Sequence, residues 1–254
     1  MLWLLGLLLA GCGNDAPDRT RPSADFTEPE LAGTVTVLAA ASLSEAFTEL
    51  GRTFESDHPG VTVTFSFGAS STLAQQALDG APADLLATAD EASLQKVVEG
   101  AVARDPEVFA RNRLTILVAK GNPKGIATLA DLARPGVLLV LCAPEVPCGK
   151  LGAQVLQKAG VAARPRSLEE NVKGVVSKVT LGEADAGLVY ATDARAASDR
   201  SDEVAIPDAQ SAVAVYPMGL LKQAGNPAAA RAFRDFVDSP AGQAALAAFG
   251  FLVP

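Results

Sequence analysis

The chain has 254 residues, enough for one large or two modest domains with a sizeable core. Its formal charge of -8 and pI near 4.7 argue against a nucleic-acid binder, which needs a basic surface. Aromatic residues make up only 5% while alanine is abundant, a composition suited to helices packed closely on a sheet.

In chain order, residues 2–10 form a short apolar run closing in Leu9-Ala10-Gly11-Cys12. The run is too short to span a bilayer and has the length of a secretory signal core. Its end resembles a bacterial lipobox, which implies cleavage before Cys12 and lipid attachment to that residue. No Lys or Arg precedes the run, so the usual basic segment is expected upstream of Met1. Residues 13–32, with Pro17, Pro22, Pro29 and many charges, read as a flexible tether. Nothing after residue 12 is apolar for long enough to cross a membrane.

Residues 34–38 are β-rich, and Ala46, Phe47, Leu50 and Phe54 then recur at helical spacing. Between them, Ser42 and Glu45 fit an S-x-x-E capping box, which predicts a helix start near Ser42. Such a start leaves unpaired amides with about half a unit of positive charge behind them, a seat for an anion, although a plain N-cap would leave the same pattern. Residues 61–67 alternate strictly as a strand and run into Gly68-Ala69-Ser70-Ser71-Thr72-Leu73, a second glycine-and-hydroxyl corner opening a helix. Residues 83–88 are the next expected strand and residues 91–99 the next helix. Strand and helix alternating through short connections predict a parallel α/β sheet, whose ligands collect at the carboxyl ends of strands.

A strand over 114–119 ends in the turn Lys120-Gly121-Asn122-Pro123, after which a second α/β series begins. It comprises a helix near 129–133, a buried strand over 137–141, and a turn, Ala143 to Gly149, with a helix starting near Cys148 or Gly149. Cys142 and Cys148 flank that turn. With Cys12 lipidated they are the remaining thiols, and either a disulfide or two buried free thiols fits the spacing. Ser167 and Glu170 suggest another capping box ahead of Val172, Val175, Val176 and Val179. Residues 186–190 form a short strand ending in Tyr190, and Ala191-Thr192-Asp193 caps a short helix. Residues 211–221 are β-rich but contain Pro217, which suits a strand crossing between lobes better than a central one. Two helices over 228–237 and 241–249 finish the chain.

Catalysis finds little support. His58 is the lone histidine and sits in a turn, so a serine triad has one exposed base to draw on. Ser70 lacks the glycine two residues on that a nucleophile elbow requires, and Ser93-Leu94-Gln95-Lys96 has no companion motif. Gly149-Lys150 has proline and leucine where a phosphate loop needs glycine and a hydroxyl. Two cysteines and one histidine make no zinc site.

Seven motifs in register carry a family resemblance: Ala39-Ala40-Ala41-Ser42-Leu43, Ala69-Ser70-Ser71-Thr72-Leu73, Gly80-Ala81-Pro82-Ala83-Asp84-Leu85, Val146-Pro147-Cys148-Gly149, Glu170-Asn171-Val172, Gly187-Leu188-Val189-Tyr190 and Tyr216-Pro217. From Thr34 to Pro254 the chain resembles the periplasmic molybdate-binding proteins of ABC importers. The resemblance implies a two-lobed type II binding-protein fold, α/β, with the ligand cleft between the lobes. It implies molybdate held by the Ser42 and Ser70 hydroxyls, with Ser71 as a possible further contact, by the Cys148 and Val172 amides and by the Tyr190 hydroxyl. Cys148 stands where the family often has alanine; a bond to Cys142 would stiffen that loop. The expected layout is a signal over 1–12, a tether over 13–32, a first lobe from 33–116 with 219–254, and a second lobe over 117–218. The implied protein is a monomeric, lipid-anchored extracytoplasmic receptor. It would have no catalytic residue, no cofactor, no free metal cation and no nucleic-acid partner, and would serve a membrane permease. Tungstate is an expected second ligand and sulfate a less favoured one.

Overall fold

The computed structural model describes residues 31–254. The signal segment with Cys12, and the tether through residue 30, lie outside the described residues. Three strand-to-helix units open the fold: β1 (Gly33–Ala40) into α1 (Ser44–Asp57) through a 3-10 turn at Ala41–Leu43, β2 (Val61–Gly68) into α2 (Ser70–Leu78), and β3 (Leu85–Ala87) into α3 (Glu91–Glu99). β1 pairs in parallel with β2 and with β3. The long strand β4 (Ala103–Ala119) then leads into the second series, where β5 (Leu139–Cys142) feeds α4 (Pro147–Lys158), β6 (Ser167–Glu169) feeds α5 (Val172–Thr180), and β7 (Ala186–Tyr190) feeds α6 (Ala191–Ala196). After β8 (Ser201–Val204) the chain returns through β9 (Val213–Leu221) and ends in α7 (Pro227–Asp238) and α8 (Pro240–Ala248).

The strand order is β2-β1-β3-β9-β4-β7-β5-β6, with β8 also on β4. β4 changes partner along its length: residues 103–113 pair with β9, and residues 114–119 with β7 and β8. β9 therefore runs back beside the strand that left the first series, and two lobes share this pair of crossing strands. Pro217 sits on β9 opposite Val108, at the point where the β4 register shifts between Val108 and Ala110. A proline has no N–H to give a ladder, so it is accommodated where the ladder is already broken. Its carbonyl still accepts from the Thr88 N–H at 2.9 Å.

The helix positions follow from what they bury. Phe47, Phe54 and Phe233 are fully buried, with Phe54 and Phe233 ring centroids 5.3 Å apart and Phe47 and Phe109 5.5 Å apart. At about 1.5 to 3 kcal/mol for each buried ring, this cluster fixes α1 and α7 against the first sheet. The carboxylate of Asp84 accepts from the backbone N–H of Thr36 at 2.7 Å and of Asn226 at 2.8 Å, tying β1 and the start of α7 to the end of the Gly80-to-Leu85 motif. Asp84 is thus a structural residue.

Two sequence expectations are corrected here. Ser42 and Glu45 make no capping box: the 3-10 turn intervenes, α1 begins at Ser44, and its N-cap position, Leu43, offers no side-chain cap. Ser167 and Glu170 make none either, because Ser167 lies in β6 and the cap of α5 is Asn171, whose side chain accepts from the amides of Lys173 and Gly174. A reciprocal box does form at Thr128 and Asp131, before the 3-10 turn Leu129–Ala133. Residues 103–113 of β4, and β8, carry no strand expectation from the sequence.

Candidate functional site

The carboxyl ends of six strands meet around one small cavity. From the first lobe it is lined by Ala40, Ala41 and Ser42 after β1, by Gly68, Ala69 and Ser70 after β2, and by Ala89 after β3. The second lobe contributes Val146, Pro147 and Cys148 after β5, Asn171 and Val172 after β6, and Tyr190 at the end of β7. Its volume is about 20 Å³. A single water takes about 10 to 15 Å³ on that scale, so the cavity has room for a guest of a few atoms and not for a sugar or peptide.

Of the residues expected from the sequence, Ser42, Ser70, Cys148, Val172 and Tyr190 all line this cavity. Ser71 does not; it is half-buried on the next position of α2, rotated away from its neighbour. Cys142 and Cys148 form a disulfide, with their Cα atoms 5.8 Å apart. The bond joins the end of β5 to the first turn of α4.

Helix starts supply the amides. The N-cap of α2, Ala69, has no side-chain acceptor, and the Leu73 N–H is the first to bond back, to Ala69. α4 has proline at its first position, which removes one donor and leaves the Cys148 N–H ahead of Gly149 and Lys150, both bonded to Val146. In α5 the Asn171 side chain takes the Lys173 and Gly174 amides, leaving the Val172 N–H as the free one. Small residues let a guest approach these backbones closely. At Gly149 the need is absolute, since a Cβ there would overlap the Ala143 carbonyl oxygen and lie 2.6 Å from its carbon.

Side-chain hydroxyls complete the ring of donors. Ser70 Oγ accepts from the Ala89 N–H at 2.9 Å, so its own proton remains to be given. Ser42 Oγ lies 2.9 Å from the Tyr216 hydroxyl. Tyr216 was not among the site residues expected from the sequence; the Tyr216-Pro217 motif was its only mark. The Tyr190 hydroxyl is buried beside that of Tyr216 and makes no well-formed hydrogen bond among the described residues. Burial pushes both tyrosines upward in pKa, with their mutual repulsion and Asp193 adding to the effect at Tyr190, so both stay protonated donors.

Among the described residues, no carboxylate, ammonium or guanidinium lines the cavity. Charges stand just outside it. Lys173 Nζ lies 2.8 Å from Asp193 Oδ1 and 2.7 Å from both Glu45 carboxylate oxygens, and Lys150 Nζ lies 3.0 Å from Asp90 Oδ2. Asp193 is wholly buried, and desolvation raises its pKa against the pull of Lys173. For Lys173 burial works the other way, yet Asp193 and Glu45 outweigh it and hold the ammonium above its ordinary pKa. The arrangement can enclose one small anion among neutral donors.

Known proteins match this chain over nearly all its described length. The family model for bacterial extracellular solute-binding proteins matches residues 35–252. The molybdate-binding protein ModA of Mycobacterium tuberculosis is 41% identical over 247 residues, covering 97% of this chain and 93% of its own. A putative ABC transporter substrate-binding lipoprotein of Bacillus subtilis is 29% identical, over 96% of this chain and 93% of its own. Among solved structures, the periplasmic molybdate-binding protein of Azotobacter vinelandii superposes with a TM-score of 0.78 at 22% identity, over 87% of this chain and 99% of that one.

Proposed function

Because the chain belongs to the bacterial extracellular solute-binding proteins, we propose that it captures molybdate between its two lobes and delivers it to the permease of an ABC importer. The observation that carries the reading is the Tyr190 hydroxyl, buried at the cavity without a well-formed hydrogen bond among the described residues. Buried hydroxyls are almost always hydrogen-bonded, and one left open at the wall of an ion-sized cavity is completed by a guest that accepts.

On this reading five donors converge on the anion: the hydroxyls of Ser42, Ser70 and Tyr190 and the amides of Cys148 and Val172. The Ser42 and Tyr216 hydroxyls lie 2.9 Å apart and either can be the donor; with Tyr216 donating, the Ser42 proton is left for the guest. At about 1.5 to 3 kcal/mol for each hydrogen bond to a charged group, five donors supply about 8 to 15 kcal/mol before the cost of closure. Micromolar affinity corresponds to about 8 kcal/mol, so no cationic side chain is required in the cavity. Every donor is neutral and no carboxylate lines the cavity among the described residues, which suits an oxyanion carrying no proton. Phosphate keeps a proton near neutral pH and would need a carboxylate. Asp193 is engaged with Lys173 outside the cavity and does not serve.

The receptor is read as a monomer with no catalytic residue, its lobes divided near residues 116 and 219 and hinged on β4 and β9. Anchoring through a lipid on Cys12 is part of the same proposal, supported by the lipobox-like Leu9-Ala10-Gly11-Cys12 and by the lipoprotein named among the relatives.

Calorimetry of the mature protein with molybdate, tungstate, sulfate and phosphate tests the reading. Heat and a raised melting temperature are expected with molybdate and tungstate, less with sulfate and none with phosphate. The absence of both signals with every oxyanion would remove the receptor function, and sulfate binding more tightly than molybdate would reassign the ligand. Tyr190→Phe separates the site from the fold. It is expected to weaken molybdate binding by about 1 to 3 kcal/mol while leaving the ligand-free melting temperature nearly unchanged, because the deleted hydroxyl makes no well-formed hydrogen bond in the empty protein. Ser70→Ala is expected to weaken binding by a similar amount, and unaltered affinity in both variants would place the pocket elsewhere.

A further inference from the structure

Two ion pairs bridge the lobes next to the segments that line the cavity. Glu45, in the first turn of α1 and three residues beyond Ser42, holds Lys173, the residue after Val172. Asp90, directly after Ala89, holds Lys150, two residues beyond Cys148. Both carboxylates belong to the first lobe and both ammonium groups to the second, so each pair joins cavity-lining segments that are far apart in sequence. None of the four side chains lines the cavity.

The four groups are partly exposed, with Lys150 and Asp90 side chains 38% and 20% accessible and Lys173 and Glu45 29% and 43%. Pairs in such surroundings add little to a fold whose parts are already held together. Their leverage lies elsewhere, because each distance is a function of lobe closure. Hinge opening about β4 and β9 would separate α1 from α5 and α3 from α4, and both contacts would be lost together. Two of the partners are also held in place for the meeting. Asp90 Oδ1 caps α3 by accepting from the Ser93 N–H at 2.9 Å, which leaves Oδ2 for Lys150. Asp193, buried behind Lys173, fixes the ammonium where Glu45 reaches it.

We propose that Glu45–Lys173 and Asp90–Lys150 are closure latches, ion pairs made only with the cleft shut, which set how long the enclosed oxyanion is retained without touching it. The inference rests on the oxyanion-receptor reading for its ligand and on the lobe geometry for its mechanism. Each latch slows opening and leaves entry into the open cleft unaffected, so its signature is in the dissociation rate.

The test uses Glu45→Gln and Asp90→Asn, singly and together, in the otherwise intact protein. Asparagine caps a helix as well as aspartate does, so the second change removes the charge and keeps α3 capped. Stopped-flow release of molybdate is expected to quicken about two- to fivefold in each single variant and by more in the double variant, with the association rate unchanged. Added salt should speed release from the parent and have little effect on the double variant, since screening acts on pairs that remain. Hydrogen exchange needs no ligand: the amides of Cys148 and Val172 in the empty protein should exchange several-fold faster in the double variant. Release and exchange both within twofold of the parent would overturn the latch. A parent that binds no oxyanion would instead sink the ligand reading, and the exchange measurement would still decide whether these pairs hold the lobes together.

Discussion

Lys173→Met is expected to cost the fold about 3 to 5 kcal/mol, far more than a surface ion pair is worth, because it strands a buried charge. The Asp193 side chain has no solvent access, and the Lys173 ammonium is the counter-charge the structure gives it. Burial already raises the Asp193 pKa with Lys173 present, and removing the lysine raises it further. A carboxyl whose folded pKa exceeds its unfolded one binds its proton more tightly in the folded state, so protonation favours folding. The deficit of the variant is therefore full above the raised folded pKa and shrinks as pH falls through it toward the ordinary carboxylate range. Urea unfolding of parent and variant at neutral pH and at about pH 4, near the unfolded aspartate value, measures this directly. A deficit equal at both pH values would mean that Asp193 is not its source.

Gly149→Ala should cost about 1 to 3 kcal/mol in stability and more than tenfold in molybdate affinity, although Gly149 donates nothing to the guest. Its added methyl meets backbone, the Ala143 carbonyl, which no side-chain rotation can relieve. The turn between β5 and α4 must open, and the Cys148 N–H moves with it. Were there room, alanine would stabilise the helix by close to 1 kcal/mol, so even the sign of the change is informative. Calorimetry and thermal melting on the same sample check both parts, and affinity within twofold of the parent would show that this turn does not position the anion.

Much of the site was legible in the sequence because its donors stand at strand-to-helix corners, and such corners leave local signatures. Gly68 to Leu73 marks a strand end, small residues and a helix start, while Val146 to Gly149 and Glu170 to Val172 mark the helix starts that follow β5 and β6. What failed was the assignment of partners. Ser42 was read as a cap for the amides beside it, yet its hydroxyl meets Tyr216, 174 residues away, and no local pattern encodes that distance. Ser71 was only a possible further contact beside Ser70, and neighbours on a helix point in directions about 100° apart, so of the two Ser70 lines the cavity. Asn171 was passed over in favour of Ser167 because a capping box is recognised by two residues and a lone cap by one. Residues 103–113 were missed as strand because Asp105 and Pro106 fall where the register of β4 shifts, and the polar sequence of β8 shows no alternation.

The place of β9 in the sheet also bears on how the protein comes to be folded. It lies between β3 and β4, so those two strands have no direct pairing and wait for a partner that ends at Leu221. Until that stretch has been synthesised, the first three strands present an open edge, and Tyr216 cannot reach Ser42. Such long-range closure is slow to form compared with local helix contacts. In a chain that crosses a membrane amino terminus first, late arrival of the keystone strand delays burial of the first lobe until most of the polypeptide has passed. Truncation anywhere before residue 213 is expected to yield a fragment with an unsealed β3 edge instead of a smaller working receptor.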